Sequence, residues 1–338
     1  MLHTVSLLLF ACAGLGVVAL AARAIASRRL LADGPGDEPE RRREHSAPLP
    51  SPAVTGALTT PPWPAGRPSS ARQSDVMGPI VHLSDLHLGG SPAAASALEA
   101  AVAAVPPAAL VVVTGDLTNG GRRSELARFD RLVEPVADRL IVVPGNHDRC
   151  GDDVGAGLMG GARVDLVTRG GCAIVRVDST APHNRIAWLS HGRLCELVIR
   201  QVDEALASVR DGRLTVVALH HHVVPLPAEG FWERVSEALH LPNHSELALG
   251  TEFLKVLRGR CDLVLHGHRH VPRQFVIDPD AARPLRVFNA GSTTGLGAFR
   301  QFDAPAAQLD GGRWVHFQPT PRPSPHLAPQ PLCRLQLA

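Results

Sequence analysis

The chain has 338 residues, 45% of them hydrophobic, and a formal net charge of +2. That is enough apolar material for one sizeable core or two modest ones, and it excludes a basic field of the size that nucleic-acid polymers require. Six cysteines (Cys12, Cys150, Cys172, Cys195, Cys261 and Cys333) without a C-x-x-C spacing argue against both a zinc–thiolate site and a disulfide framework.

Residues Val5 to Ala22 are nearly all apolar, the lower limit of a membrane span. Arg23, Arg28 and Arg29 follow the run and no Lys or Arg precedes it. By the positive-inside rule the C-terminal side then lies in the cytoplasm. The expectation is an uncleaved inner-membrane anchor over residues 1–29, with the folded domain in the cytoplasm. Two other readings compete with it. One is a signal peptide cleaved after Ala22-Arg23-Ala24, which gives an exported protein. The other is a start at Met77, which gives a soluble cytoplasmic one. Residues 30–78 are rich in Pro, Gly, Ser and charge, lack a hydrophobic period, and read as a disordered linker.

From Pro79 onward, apolar runs alternate with helical patterns. Strands are predicted at 79–84, 109–114, 139–143, 172–178, 213–219, 261–265, 274–277 and 285–289, with an edge strand at 313–317. Helices are predicted at 92–104, 122–138, 194–210 and 246–258. This alternation argues for an α/β domain with helices on both faces, spanning 79–318. Residues 319–338 carry six prolines and read as a loose tail.

Five strands stop abruptly at polar clusters. Residues 79–83 run into Ser84-Asp85-Leu86-His87, and Leu110 to Thr114 into Gly115-Asp116. Leu140 to Val143 runs into Pro144-Gly145-Asn146-His147-Asp148, and Leu214 to Leu219 into His220-His221-His222. Leu263 to Leu265 runs into His266-Gly267-His268-Arg269-His270. Any one such end is an ordinary turn, since Gly-Asp and Gly-Asn are common turn dipeptides. Five together point to one site beyond the carboxyl ends of the strands, where ligands bind in such sheets.

The order Asp-x-His, Gly-Asp, Gly-Asn-His-Asp, His-His, Gly-His-x-His resembles the calcineurin-like metallophosphoesterases over residues 79 to 300. It looks most like the bacterial class III cyclic-nucleotide phosphodiesterase type. The resemblance implies a four-layer α/β sandwich, two mixed sheets flanked by helices, with a two-metal site at the strand ends. It implies that Asp85, His87 and His270 hold one metal, that Asn146, His220 and His268 hold the other, and that Asp116 bridges both. His147 is implied as the catalytic residue, facing the phosphate together with Asn146, and Asp148 or another carboxylate as the group orienting it. Mixed oxygen and imidazole donors without thiolate suit Mn, Fe or Zn.

Two departures stand out. His-His-Val-Val-Pro replaces the usual His-His-Pro, so His221 competes with His220 as the ligand. His266 adds an imidazole, which reads as a strand-end residue packed under the site. Phe231 and Trp232 lie in a variable stretch after His222, suited either to stacking on a base or lipid or to capping the fold. The expected function is metal-dependent hydrolysis of a small phosphodiester, best a cyclic nucleotide. The alternatives are a membrane-lipid or glycerophosphodiester phosphoesterase, for which the N-terminal segment would provide membrane attachment, and a non-catalytic metal-binding regulator.

Overall fold

A computed structural model describes residues 78–169, 171–186, 189–210, 212–224, 247–303, 312–317 and 333–335. The N-terminal segment and linker, Phe231 and Trp232, and most of the Pro-rich tail lie outside the described residues.

Two mixed sheets carry the domain. The first has five strands in the order β11-β10-β1-β2-β3. Here β1 is Ile80–Leu83, β2 Leu110–Thr114, β3 Leu140–Val143, β10 Ala298–Phe302 and β11 Arg313–His316. The second has seven, in the order β12-β8-β9-β7-β6-β5-β4. These are β4 Val164–Arg169, β5 Cys172–Val177, β6 Leu214–Ala218, β7 Leu263–His266, β8 Arg273–Ile277, β9 Leu285–Asn289 and β12 Cys333–Leu335.

Side-chain alternation divides the apolar residues among three cores. Val81, Leu83, Val111 and Val113 face outward from the first sheet onto Leu98, Val102, Phe129 and Val133. Those four residues belong to helices α1 (Pro92–Ala103) and α2 (Arg123–Val133). Ile80, Leu110, Val112, Ile141 and Val143 face inward and meet Ile174, Val216, Leu263, Leu265 and Phe288 of the second sheet. On the far side, Val175, Val217, Val264 and Val287 pack on Val198, Val202, Phe253 and Leu257. These come from α3 (Glu196–Ala207) and α4 (Gly250–Leu257). The result is the four-layer sandwich. Burial on both faces explains why the strands read as continuous apolar runs.

With both faces apolar, alternation alone does not fix strand register. The polar strand ends do, because a one-residue slip of β2 would drag the Asp116 turn into the inter-sheet core. Strands β1, β2 and β3 are mutually parallel, as are β6 and β7. Their carboxyl ends carry the five motifs.

Several elements differ from expectation. The helical stretch after Arg123 ends at Val133 and continues as a 3-10 turn over Glu134–Arg139, where Pro135 cannot donate to a helical ladder. Strand β10 was not expected because Arg300 and Gln301 read as polar, yet both are buried. Cys333–Leu335, within the stretch read as a loose tail, pairs in parallel with β8. Among the described residues no helix is long and apolar enough to cross a membrane.

Candidate metal centre

The strand-end side chains converge in two groups. In the first, His87 Nε2 and His270 Nε2 stand 2.8 Å apart, and His270 Nε2 lies 3.4 Å from Asp85 Oδ1. In the second, Asn146 Oδ1 is 3.0 Å from both His220 Nε2 and His268 Nδ1. One oxygen stands between them: Asp116 Oδ2 is 3.8 Å from His87 Nε2 and 3.4 Å from His220 Nε2. One ligand atom each from Asp85, His87, Asp116 and His270 fits within 4.8 Å, as do those of His220, His221 and His268.

The backbone is bent to achieve this. Asp85, His87, Asp116, His268 and His270 all have positive φ, from 47° to 77°. Non-glycine residues rarely adopt this region, and strain of this kind concentrates at functional sites. The motif glycines permit the close approach. A Cβ on Gly267 would stand 2.3 Å from Asp85 Oδ2, and one on Gly145 2.2 Å from Asp116 Oδ1.

The electrostatics favour a cation. Burial alone would raise the Asp85 and Asp116 carboxyls. The neighbouring imidazoles outweigh it, chiefly His270 for Asp85 and His220 for Asp116, and both carboxyls lie below the ordinary value. Burial disfavours a charged His220, yet Asp116 and Asp85 raise its pKa to about 9. The His220 Nδ1–H donates to the Thr114 carbonyl at 2.7 Å, so Nε2 is the nitrogen turned to Asp116 and Asn146. A field that holds a proton there also holds a metal ion, and the N/O donor set fits borderline divalent metals.

The calcineurin-like phosphoesterase family model matches residues 78–272, more than half of the chain. The chain belongs to the calcineurin-like phosphoesterases. A 3',5'-cyclic adenosine monophosphate phosphodiesterase, CpdA, of Pseudomonas aeruginosa is 30% identical over 174 residues, covering 48% of this chain and 62% of that protein. A probable cyclic nucleotide phosphodiesterase of Rhodococcus erythropolis is 28% identical over 215 residues, covering 56% and 64%. The chain thus spans less than two thirds of the length of these curated relatives. A purple acid phosphatase from yellow lupin aligns with a TM-score of 0.49 at 14% identity, covering 67% of this chain and 49% of that one. The two strand-end groups lie within the matched stretch, and each could hold a metal ion.

Within the phosphoesterase site, His147 stands beside the two groups and in neither. Its Nδ1–H donates to the Asn119 carbonyl at 2.7 Å, its backbone N–H donates to Asp116 Oδ1 at 2.8 Å, and its ring centroid is 4.6 Å from that of His87. Asp148 does not orient it, contrary to the sequence reading. The Asp148 oxygens accept from the Thr118 backbone and hydroxyl at 2.9 and 2.8 Å and from the Gly145 N–H at 2.9 Å. Burial, with Asp116 nearby, raises the Asp148 pKa to about 6. The side chain therefore ties the β2 turn to the β3 turn, while a backbone carbonyl holds the imidazole.

His221 is within reach of His220 and His268, but both of its ring nitrogens are engaged, by Ser179 Oγ and by the Ser190 carbonyl at 2.8 Å each. His266 is fully buried beneath the site and burial lowers its pKa to about 4. Sequence reasoning missed the turn after β9. Ser292 Oγ donates to the Asp85 carbonyl at 2.8 Å, Thr293 Oγ1 accepts from the Ser84 N–H at 2.9 Å, and Asn289 Nδ2 donates to the Gly267 carbonyl at 2.8 Å. The signal was present: β9 ends in Asn289-Ala290-Gly291-Ser292-Thr293, a sixth apolar run meeting a polar turn.

Proposed function

We propose that this domain hydrolyses phosphodiester bonds with two divalent ions and that its substrates are cyclic nucleotides. The observation that carries the two-metal reading is the placement of Asp116 Oδ2 between His87 Nε2 and His220 Nε2. In this reading Asp85, His87 and His270 hold the first ion, Asn146, His220 and His268 the second, and Asp116 contributes to both. His220 takes this role rather than His221, because its Nε2 is turned inward while both His221 nitrogens have other partners. When bound, two such ions supply charge to a phosphoryl oxygen and the acidity that makes water a nucleophile at neutral pH.

The chain's own residues do the rest. The buried carboxylates of Asp85 and Asp116 are held by N–H donors, from His268 at 3.0 Å and His147 at 2.8 Å. Their charges are thereby fixed before substrate arrives, which lowers the reorganisation needed at the transition state. The Asn119 carbonyl fixes the His147 tautomer and leaves Nε2 for the substrate. With a proton there, His147 donates to the leaving oxygen as the P–O bond breaks. Asn146 shares the phosphate-facing side.

The substrate class is supported by curated relatives, the two described above among them, whose names give cyclic nucleotides. The test is a comparison of rates on 3',5'-cyclic AMP, a glycerophosphodiester and a lipid pyrophosphate, using the full-length Mn2+-loaded chain. Fastest turnover of cyclic AMP, to 5'-AMP, is expected. Faster turnover of either competitor would assign a different substrate class.

A further inference from the structure

The His220-His221-His222 turn turns only its first imidazole to the shared Asp116. The second does something else. The His221 ring is fully buried, 5.0 Å from that of His220 and 4.7 Å from that of His268. Its backbone N–H donates to Ser179 Oγ at 3.2 Å, so the Ser179 hydroxyl proton is free to donate to His221 Nδ1, 2.8 Å away. With Nδ1 accepting, the ring proton sits on Nε2 and donates to the Ser190 carbonyl. Gly192 leaves the room this needs, since a Cβ there would stand 2.5 Å from the ring. The Arg193 N–H closes the enclosure by donating to the Ser179 carbonyl at 3.0 Å. Two short stretches after β5, Asp178–Thr180 and Ser190–Arg193, thus enclose one imidazole.

The same part of the chain reaches the other turn of that half-site. Thr180 Oγ1 accepts from Arg149 at 3.4 Å, and the Asn184 carbonyl accepts from Cys150 Sγ at 3.5 Å. Cys150 Sγ in turn lies 3.7 Å from the Asn146 carbonyl. The contacts therefore bear on the turns that present Asn146 and His220. Among the described residues none of these bonds reaches Asp85, His87 or His270. That half is tied instead by Ser292, Thr293 and Thr294, the last donating to the Leu86 carbonyl at 3.0 Å.

We propose that Ser179 and His221 are a positioning pair that sets the affinity of the second metal position, Asn146, His220 and His268, independently of the first. The inference rests on the ligand assignment above. Partners of this kind behind metal ligands change metal affinity by about 10–100-fold when removed.

The test titrates Mn2+ into the chelator-stripped full-length chain and follows free Mn2+ by electron paramagnetic resonance. Ser179→Ala is compared in two backgrounds: His87→Ala, which damages the first position, and Asn146→Ala, which damages the second. In the His87→Ala background, Ser179→Ala is expected to weaken Mn2+ binding about 10–100-fold. Ser179→Thr, which keeps the hydroxyl, restores it. In the Asn146→Ala background no shift is expected. A shift in both backgrounds, or in neither, overturns the proposal. Thermal unfolding checks each fold. Should Ser179→Ala not fold, His221→Gln goes through the same comparison. A wild-type chain that binds a single Mn2+ overturns the ligand assignment itself, which separates that failure from failure of the positioning pair.

Discussion

Gly145→Ala is the smallest change that should disable the site. A Cβ at this position would stand 2.2 Å from Asp116 Oδ1 and 2.3 Å from the Asp116 backbone nitrogen, where ordinary contact begins at 3.4 Å. Both neighbours are held. Asp116 Oδ1 accepts from the His147 N–H, and the Asp116 carbonyl accepts from the Leu86 and His87 N–H groups at 2.9 and 3.0 Å. Relief therefore moves the shared carboxylate by roughly 1 Å, and misplacement on that scale costs about 10²-fold in rate. By the rate–barrier relation this is about 2.7 kcal/mol. The assay is kcat on bis(p-nitrophenyl) phosphate together with bound metal per chain, with the melting temperature as a control for folding. A variant that keeps two metals and a near-normal rate would refute the reasoning, because it would show that the Asp116 turn has room that the close approach denies it.

The other predictions address separate parts of the account. His147→Ala should keep both metals and slow diester hydrolysis by about 10²–10⁴-fold, less with p-nitrophenolate than with an alkoxide leaving group; loss of metal would make it a ligand instead. Iodoacetamide at pH 8 should label Cys195 and Cys333, which are exposed, and spare Cys172 and Cys261, whose thiols burial raises to about 11 and about 12; peptide mass spectrometry reads this, and early labelling of Cys261 would contradict its burial. Reporter fusions at Ala338 test the topology read from Arg23, Arg28 and Arg29, with a fluorescent protein expected to be bright and alkaline phosphatase silent; the reverse pattern would place the domain outside.

The parts of the molecule that were legible in the sequence share one physical property. Strands buried on both faces are apolar throughout, so Leu110 to Thr114 and Leu263 to Leu265 announce themselves, and the first polar residues after them mark the site. Elements that mix polar and apolar residues did not. Arg300 is buried within β10 against Phe288 and Trp314, its guanidinium 5.1 and 4.7 Å from the ring centroids, an environment that no local pattern signals. Strand β4 is half-buried at a sheet edge, with Asp165 and Arg169 in it. Strand β12 is three residues long.

Within the site, the motif histidines could be picked out by spacing, but the partners of His147 and His221 could not. Two of them are the Asn119 and Ser190 backbone carbonyls, which any residue supplies, and Ser179 is a lone polar residue in a loop whose distance in sequence from His221 carries no period. Asp148 illustrates the converse error. Adjacent to His147 in the chain, it points from the same 3-10 turn to a different set of donors.

The central claim, that hydrolysis depends on two ions sharing Asp116, is tested most directly by one titration. Mn2+ is added to the chelator-stripped full-length chain, and ions bound per chain and initial rate on bis(p-nitrophenyl) phosphate are recorded at each step, for wild type and for Asp116→Asn. The account predicts that the wild-type rate rises as the second ion binds and levels off at two per chain, and that Asp116→Asn binds fewer ions and stays inactive throughout. Full activity with one ion bound, or an Asp116→Asn chain that binds two ions and turns over near the wild-type rate, would contradict it.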